Sequence, residues 1–411
     1  MDRNTFTGLF LIMIILAGGV FFMRPSEAEL KKEQQVQDSI KNAGLKKLAT
    51  TSQPNVEPVK KIDTAALKGP FGGNITGTEQ TTVLENENLK ITFNNLGGKI
   101  QSVEVKNEKT YGNKPLVLFD GNQNKFGLNL NIGGKITNTN DLYFTATKTG
   151  NGVTMRTNYN ADKYVDFIYS LPANGFNLDF NINLNGLNQV VQGNNVNLNW
   201  ETTLLQQEKD AKKEQEHSGP YFKYVEETPD HLDLHKDEKK ELTEGKIEWF
   251  SFKQHFFSAV LIPSAPFEKG NLEVKVSTDP GKIKWYGANM QLPFNQLAAQ
   301  NYNFKFYFGT NKFSTLKEQG HEIEKQVDLG YWPLKYINRF IVLPVFNFLE
   351  GFNWGYGLII LVLTILLKLA MSPLTYKSYV SMAKMRVLKP EMDEIKAKVG
   401  EDNPTLLQQE Y

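Results

Sequence analysis

Cysteine is absent from the 411 residues, so no disulfide holds any part of the chain, and a domain exported from the cytoplasm must be held by its own core. Histidine is nearly as scarce, at five. Charge of one sign is missing too. The 46 Lys and Arg against 45 Asp and Glu leave a formal net charge of +1, which argues against a nucleic-acid surface as the main business of the chain. No phosphate-binding loop, nucleophile elbow or zinc-protease motif occurs. Long apolar runs are few. A mean hydropathy of −0.40 describes an aqueous domain tied to a membrane, not a multi-span bundle.

Two runs are long enough to span. Phe6 to Met23 is broken only by Thr7 and glycines. As a helix it measures about 27 Å, just enough to cross a bilayer. It reads as an anchor or as a secretory signal. Ser26-Glu27-Ala28 faintly resembles a cleavage site, but Arg24-Pro25 follows the run directly and the run exceeds a usual signal core, which favours an uncleaved anchor.

The second run, from about Trp354 to Tyr376, contains Lys368, with Ser372-Pro373 close behind. A lysine at the centre of a spanning helix costs roughly 2.5 to 3.5 kcal/mol, so such residues usually face a polar interior and mark a transport path. The plainer alternative is a lysine that snorkels to the cytoplasmic headgroups. Thr364 lies four residues before Lys368, so hydroxyl and ammonium share one wall of the helix. Pro373 removes a backbone donor and should kink or loosen the helix near its cytoplasmic end. Lys377, Lys384, Arg386 and Lys389 follow, which makes that side cytoplasmic and puts the roughly 330 residues between the spans outside.

Between the spans, Glu27 to about Pro70 is polar and reads as a tether. From about Gly77 to Phe313 apolar and polar residues alternate, as in Leu178 to Leu184 and Tyr302 to Phe308, with Gly97-Gly98, Gly133-Gly134 and Asn174-Gly175 between the runs. The expectation is a large antiparallel β-sandwich. Glu208 to Gly245, crowded with charge, reads as a solvated excursion from it. His231 and His235 with Asp233 between them have helical metal-ligand spacing, but no further ligand is placed by spacing. Trp332 to Leu349 turns apolar while keeping Lys335, Asn338, Arg339 and Asn347 on one side. It suits a helix lying in the membrane interface, the alternative being a core helix packed on the sandwich. Met382, Met385, Leu388 and Met392 form a stripe suited to a partner helix, the second arm of a hairpin beginning after Gly400 and Pro404. The expected divisions are an anchor over 1–24, a tether over 25–76, a β-sandwich with linking helix over 77–330, an interfacial amphipathic helix over 331–350, a span over 351–376, and the start of a cytoplasmic helical hairpin over 377–411.

Several stretches together resemble one family: Asn353-Trp354-Gly355-Tyr356-Gly357, Lys368 through Thr375, Ser381 through Arg386, Asn95 through Ile100, and Trp249 through Phe257. They are similar to the YidC insertases of the Oxa/Alb superfamily, in that family's order along the whole chain. The resemblance implies a bacterial inner-membrane insertase with a periplasmic β-supersandwich, transmembrane and interfacial α-helices, and a helical core forming a hydrophilic groove. Its partners would be nascent membrane proteins, the lipid bilayer, the Sec translocon, and a ribosome or targeting receptor, with no nucleic acid bound directly and no cofactor. The groove would be lined by Lys368, Thr364 and Pro373, and Lys384, Met385 and Arg386 would form the cytoplasmic contact. The family usually has arginine where this chain has Lys368, which keeps the charge but loses the planar five-donor fork. The chain stops at Tyr411, inside the hairpin, so it is expected to be a piece of a longer, multi-pass protein that does not insert proteins alone. A rival expectation is a membrane-anchored sugar-binding or mutarotase-like protein using a His and carboxylate pair in a cleft. Outside the charged excursion only His255 and His321 are available for that, and His255, flanked by Phe256 and Phe257 in an apolar strand-like run, reads as a packed residue.

Overall fold

A computed structural model of the chain describes residues 69–352 and 354–399. The anchor, most of the tether and the second arm of the hairpin lie outside these residues. The alternating segments form the antiparallel sandwich expected of them. A nine-stranded sheet runs from edge to edge through Asp230–His231, Gly219–Tyr224, Ile247–Lys253, Phe257–Pro263, Gln300–Thr310, Asn177–Asn185, Tyr164–Ser170, Gly152–Asn158 and Thr145–Thr149. A six-stranded sheet runs through Glu238–Leu242, Lys269–Val276, Lys282–Pro293, Asn195–Leu205, Lys125–Ile132 and Lys135–Asn138. A third sheet of four strands spans Thr81 to Val117.

Period-two patterning decides which face is buried. In Asn195–Leu205 every second residue is buried, Val196, Leu198, Trp200, Thr202 and Leu204, so this strand turns one full row inward. Phe304, Phe306 and Phe308 do the same from the nine-stranded sheet. The rows meet at Trp200, whose ring lies 4.5 Å from Phe252, 5.4 Å from Phe306 and 6.1 Å from Phe126. Edge-to-face pairs at such distances contribute beyond their buried area. The indole N–H, which needs a partner once buried, donates to Asn124 Oδ1 at 2.8 Å, and Asn124 Nδ2 donates to the Ile100 carbonyl at 2.6 Å. This relay joins the six-stranded sheet to the four-stranded one.

Alternation fails where a strand is covered on both faces. Phe257–Pro263 is buried at every position. Its second face is covered by helix α2 (Phe313–Glu318) and the turn Ile323–Gln326, with Trp249, Val260, Ile262, Tyr307, Leu316 and Ile323 forming a second apolar cluster. A strand covered on both faces has no solvated row to keep polar.

Glu208 to Gly245 is no solvated excursion. It contains helix α1 (Ala211–Glu216) and contributes strands to both large sheets, and Gly219–Tyr224 is buried at all six positions. Some of its charges are paired, Lys223 with Glu248 of the neighbouring strand and Lys240 with Asp230 at 2.8 Å, while others stay exposed. Charge density alone misled because a strand at a sheet edge can keep charged side chains in water while its backbone pairs with the sheet.

The turn Asn95 to Ile100 has its own logic. Gly97 and Gly98 take φ of 85° and 59°, and a Cβ on Gly98 would stand 2.8 Å from the Phe144 ring.

Past the sandwich, α3 (Leu334–Ile337) runs through a π-turn, Asn338–Val342, into α4 (Leu343–Glu350). Trp332, Leu334, Tyr336, Phe340 and Phe348 are exposed, and the helix is not packed into the sandwich as a core helix would be. Then α5 (Tyr356–Val399) runs 44 residues through Pro373 and Pro390 as one continuous helix, about 66 Å long, so neither proline ends it. Among the described residues it is the single helix long and apolar enough to cross a membrane.

Trp200→Ala should cost about 3 to 5 kcal/mol, the range for emptying a large aromatic site. Chemical denaturation followed by near-UV circular dichroism checks this, and a cost below about 1 kcal/mol would mean the inter-sheet contact is not what holds the sandwich.

Candidate functional site

Two regions carry chemistry beyond packing. The first is α5. Thr364 and Lys368, one turn apart, are both exposed on the helix, as their spacing requires. The threonine hydroxyl is already used by its own helix: Thr364 Oγ1 donates to the Ile360 carbonyl at 2.7 Å, leaving its lone pairs facing out. Ser372 and Thr375 bond back in the same way to Leu369 at 2.8 Å and Met371 at 3.0 Å. This stretch, which contains Pro373, thus places three hydroxyls within three turns of the Lys368 ammonium. Lys384, Met385 and Arg386 are exposed on the same helix, about 24 Å further along from Lys368. Thr364 and Lys368 thus share one face of the helix, and Lys384, Met385 and Arg386 lie apart from them.

The second region is a cleft of about 640 Å³ at one end of the sandwich. Its floor is the turn Gln254 to Phe256 between strands Ile247–Lys253 and Phe257–Pro263. Asn311 pins that turn, its Nδ2 donating to the carbonyls of Gln254 at 2.8 Å and His255 at 3.0 Å. Gln254 Nε2 donates to the Leu205 carbonyl at 2.6 Å and to the Glu214 carboxylate. Glu214 also accepts from the backbone of Gln207 and Glu208, yet burial outweighs these bonds and pushes its carboxyl up to about 7. Trp249, at the start of the same segment, donates its indole N–H to the His321 carbonyl at 2.9 Å. The stretch from Trp249 to Phe257 is therefore a brace between the sandwich, α1 and the segment after α2.

His255 is packed between rings, as expected, but it also has a polar partner on the cleft wall. Its ring is sandwiched between His217, at 4.5 Å, and Phe256, at 3.9 Å, and its Nδ1 meets Glu208 Oε1 at 2.8 Å on the cleft wall. Burial holds its imidazole below the ordinary value against the pull of Glu208. Beneath it Lys253 is 5% exposed, its ammonium donating to the His217 carbonyl at 2.8 Å. Burial drives that ammonium down to about 8, and does the same to Lys284, which donates to the carbonyls of Ser218 at 2.6 Å and Leu234 at 2.8 Å. Neither is marked locally: the strand of Lys253 also holds Glu248 and Ser251, and that of Lys284 holds Lys282, Asn289 and Gln291. Elsewhere His231 Nδ1 meets the Leu232 carbonyl at 2.7 Å, and no group of three His, Asp or Glu gathers among the described residues.

Comparison with known proteins bears on both regions. The family model described as the YidC periplasmic domain matches residues 81–347, and that of the 60Kd inner membrane protein matches 348–411. The "Membrane protein insertase YidC" of Parabacteroides distasonis is 35% identical over 429 residues, covering 98% of this chain and 68% of that protein. Its counterpart from Phocaeicola vulgatus is 35% identical over 428 residues, covering 100% and 68%. Among solved structures, the periplasmic domain of the Thermotoga maritima YidC is 13% identical, covering 61% of this chain and 93% of that one, with a TM-score of 0.30.

The buried ionisable groups give stability a pH dependence of known sign. The Lys253 and Lys284 ammonium groups hold their protons only to about 8 when folded, against an ordinary 10.5, so from about pH 8 to 10.5 the unfolded chain binds more protons and stability rises with pH. Glu214, raised from 4.5 to about 7, acts oppositely: between those values the folded chain binds more protons and stability falls as pH rises. Denaturation midpoints taken from pH 4.5 to 10.5 should show both slopes. Glu214→Gln should flatten the acidic one and leave the alkaline one, and an unchanged acidic slope would place its origin elsewhere.

Proposed function

Because this chain belongs to the YidC family of membrane protein insertases, we propose that it inserts membrane proteins through a hydrated groove in which Lys368 supplies the positive charge. The observation that carries this reading is Lys368 itself, exposed with Thr364 on one face of an apolar helix of spanning length. A charge there persists where water or polar neighbours reach it, since hydrocarbon alone would cost it several kcal/mol. The ammonium draws a short polar or acidic segment of the substrate into the groove. The substrate's apolar helix then moves sideways into lipid, driven by burial of its own surface, and no covalent bond changes.

The remaining elements take places consistent with that role. The protein lies in the bacterial inner membrane as a multi-pass protein, with residues 77–330 as its periplasmic domain and 331–350 in the outer interface. There Trp332, Tyr336 and Phe340 meet the headgroups and Arg339 stays above the apolar layer. Lys384, Met385 and Arg386 face the cytoplasm, where ribosome, targeting receptor or nascent chain arrives, alone or beside the Sec translocon. The sugar-processing alternative has the His255–Glu208 pair in its favour, but the two groups bind each other, and a mutarotation assay should return no rate above solvent.

The test is insertion of a small single-span substrate by the protein as the cell makes it, carrying Lys368→Ala or Lys368→Arg. Arg should support insertion of substrates with acidic tails at least as well as Lys, and Ala should lower it about tenfold or more, the scale of one lost charge-assisted contact. Equal insertion by Ala and Lys ends the groove-charge reading.

A further inference from the structure

The cleft at the end of the sandwich lies beside the point where the chain enters the membrane. Lys312, on its rim, places Nζ 2.6 Å from Glu350 Oε2 at the end of α4. The other oxygen of Glu350 accepts from the Tyr356 hydroxyl at 3.3 Å, and Tyr356 is the first residue of α5. One salt bridge and one hydrogen bond therefore connect the rim to the spanning helix, which sets the rim at headgroup depth.

The interior has polar capacity that the protein does not use. Lys253 lines the cleft, and among the described residues its ammonium, with three donors, has one hydrogen-bond acceptor, has the Tyr221 ring 5.5 Å away, and has no carboxylate oxygen within ion-pair distance. A buried cation in that condition is costly unless a further acceptor arrives. Burial already drives it down to about 8. Across the same space stands Asp328, whose Oδ1 accepts from the Gly330 backbone at 2.7 Å and whose charge acts on Lys253. Phe256, 53% exposed, offers an apolar face at the mouth. One ligand has the matching pattern of an acceptor-rich anion, a nearby cation and an apolar tail: a phospholipid with an amine headgroup.

We propose that this cleft binds a phosphatidylethanolamine headgroup from the outer leaflet, the phosphodiester on Lys253 and Lys312, the ammonium toward Asp328, and the first acyl carbons against Phe256. The inference rests on the membrane placement of α4 and α5 proposed above. It gives the sandwich a direct grip on lipid beside the insertion path, separate from the groove at Lys368.

The test is photocrosslinking of the full chain with Phe256→benzoylphenylalanine in vesicles of phosphatidylethanolamine and phosphatidylglycerol, adducts being identified by mass spectrometry. The expected adduct is phosphatidylethanolamine, competed by millimolar glycerophosphoethanolamine. Lys253→Met should lower it about tenfold, as one charge-assisted contact would, while Lys253→Arg retains it. Asp328→Asn keeps the acceptor for Gly330 and the fold, and should erase the preference for ethanolamine over glycerol headgroups. A preference unchanged by Asp328→Asn, or displacement of the adduct by galactose but not by glycerophosphoethanolamine, would overturn the assignment. If calorimetry shows glycerophosphoethanolamine binding but no lipid crosslinks, the cleft faces water and the membrane placement has failed. If neither occurs, the headgroup site itself is wrong and the placement stands or falls with the Lys368 assay.

Discussion

The indole of Trp200 is the contact on which the exported architecture turns. It stands on the six-stranded sheet, meets Phe252 and Phe306 from the nine-stranded sheet, and through Asn124 reaches the backbone of the four-stranded sheet at Ile100. With no disulfide available, three sheets are held together by apolar burial and by buried polar atoms that find partners. Everything at the membrane end is positioned from this centre: Phe252 leads directly into Lys253 and the turn that floors the cleft, and Phe306 and Phe308 lead into Asn311 and Lys312.

Much of this was legible in the sequence, and the boundary of legibility is physical. Alternation found the sandwich because most strands have one dry and one wet face, as Asn195–Leu205 does. It was blind to Phe257–Pro263, which has two dry faces, and charge density misjudged Glu208 to Gly245, which supplies strands to both large sheets while many of its charges stay in water. On α5 the i, i+4 spacing placed Thr364 and Lys368 on one face without any tertiary information, since a helix fixes that relation by itself. The cleft could not be found that way. Glu208, His217, Lys253, Asn311 and Lys312 come together only through long-range pairing, and His255, followed by Phe256 and Phe257, gave no local sign of its hydrogen-bonding partner 47 residues away.

The two kinds of lysine site show opposite solutions to one problem. Lys253 and Lys284 are cations taken out of water and offered protein acceptors, and both are driven toward neutrality in consequence. Lys368 is exposed on α5, and the proposed groove would set it against water and substrate in place of protein acceptors.

The continuity of α5 has a mechanical consequence. Where α5 crosses a bilayer as proposed, the hydrocarbon core would take up roughly 30 Å of its length of about 66 Å, and more than half of this continuous helix would project beyond it. A tilt of about 10° in the span would swing the projecting tip by roughly 6 Å, as the rise of a rigid helix dictates. A lever of that gain would let a docking event beyond Met385 reorient the lipid-facing segment without any hinge between them.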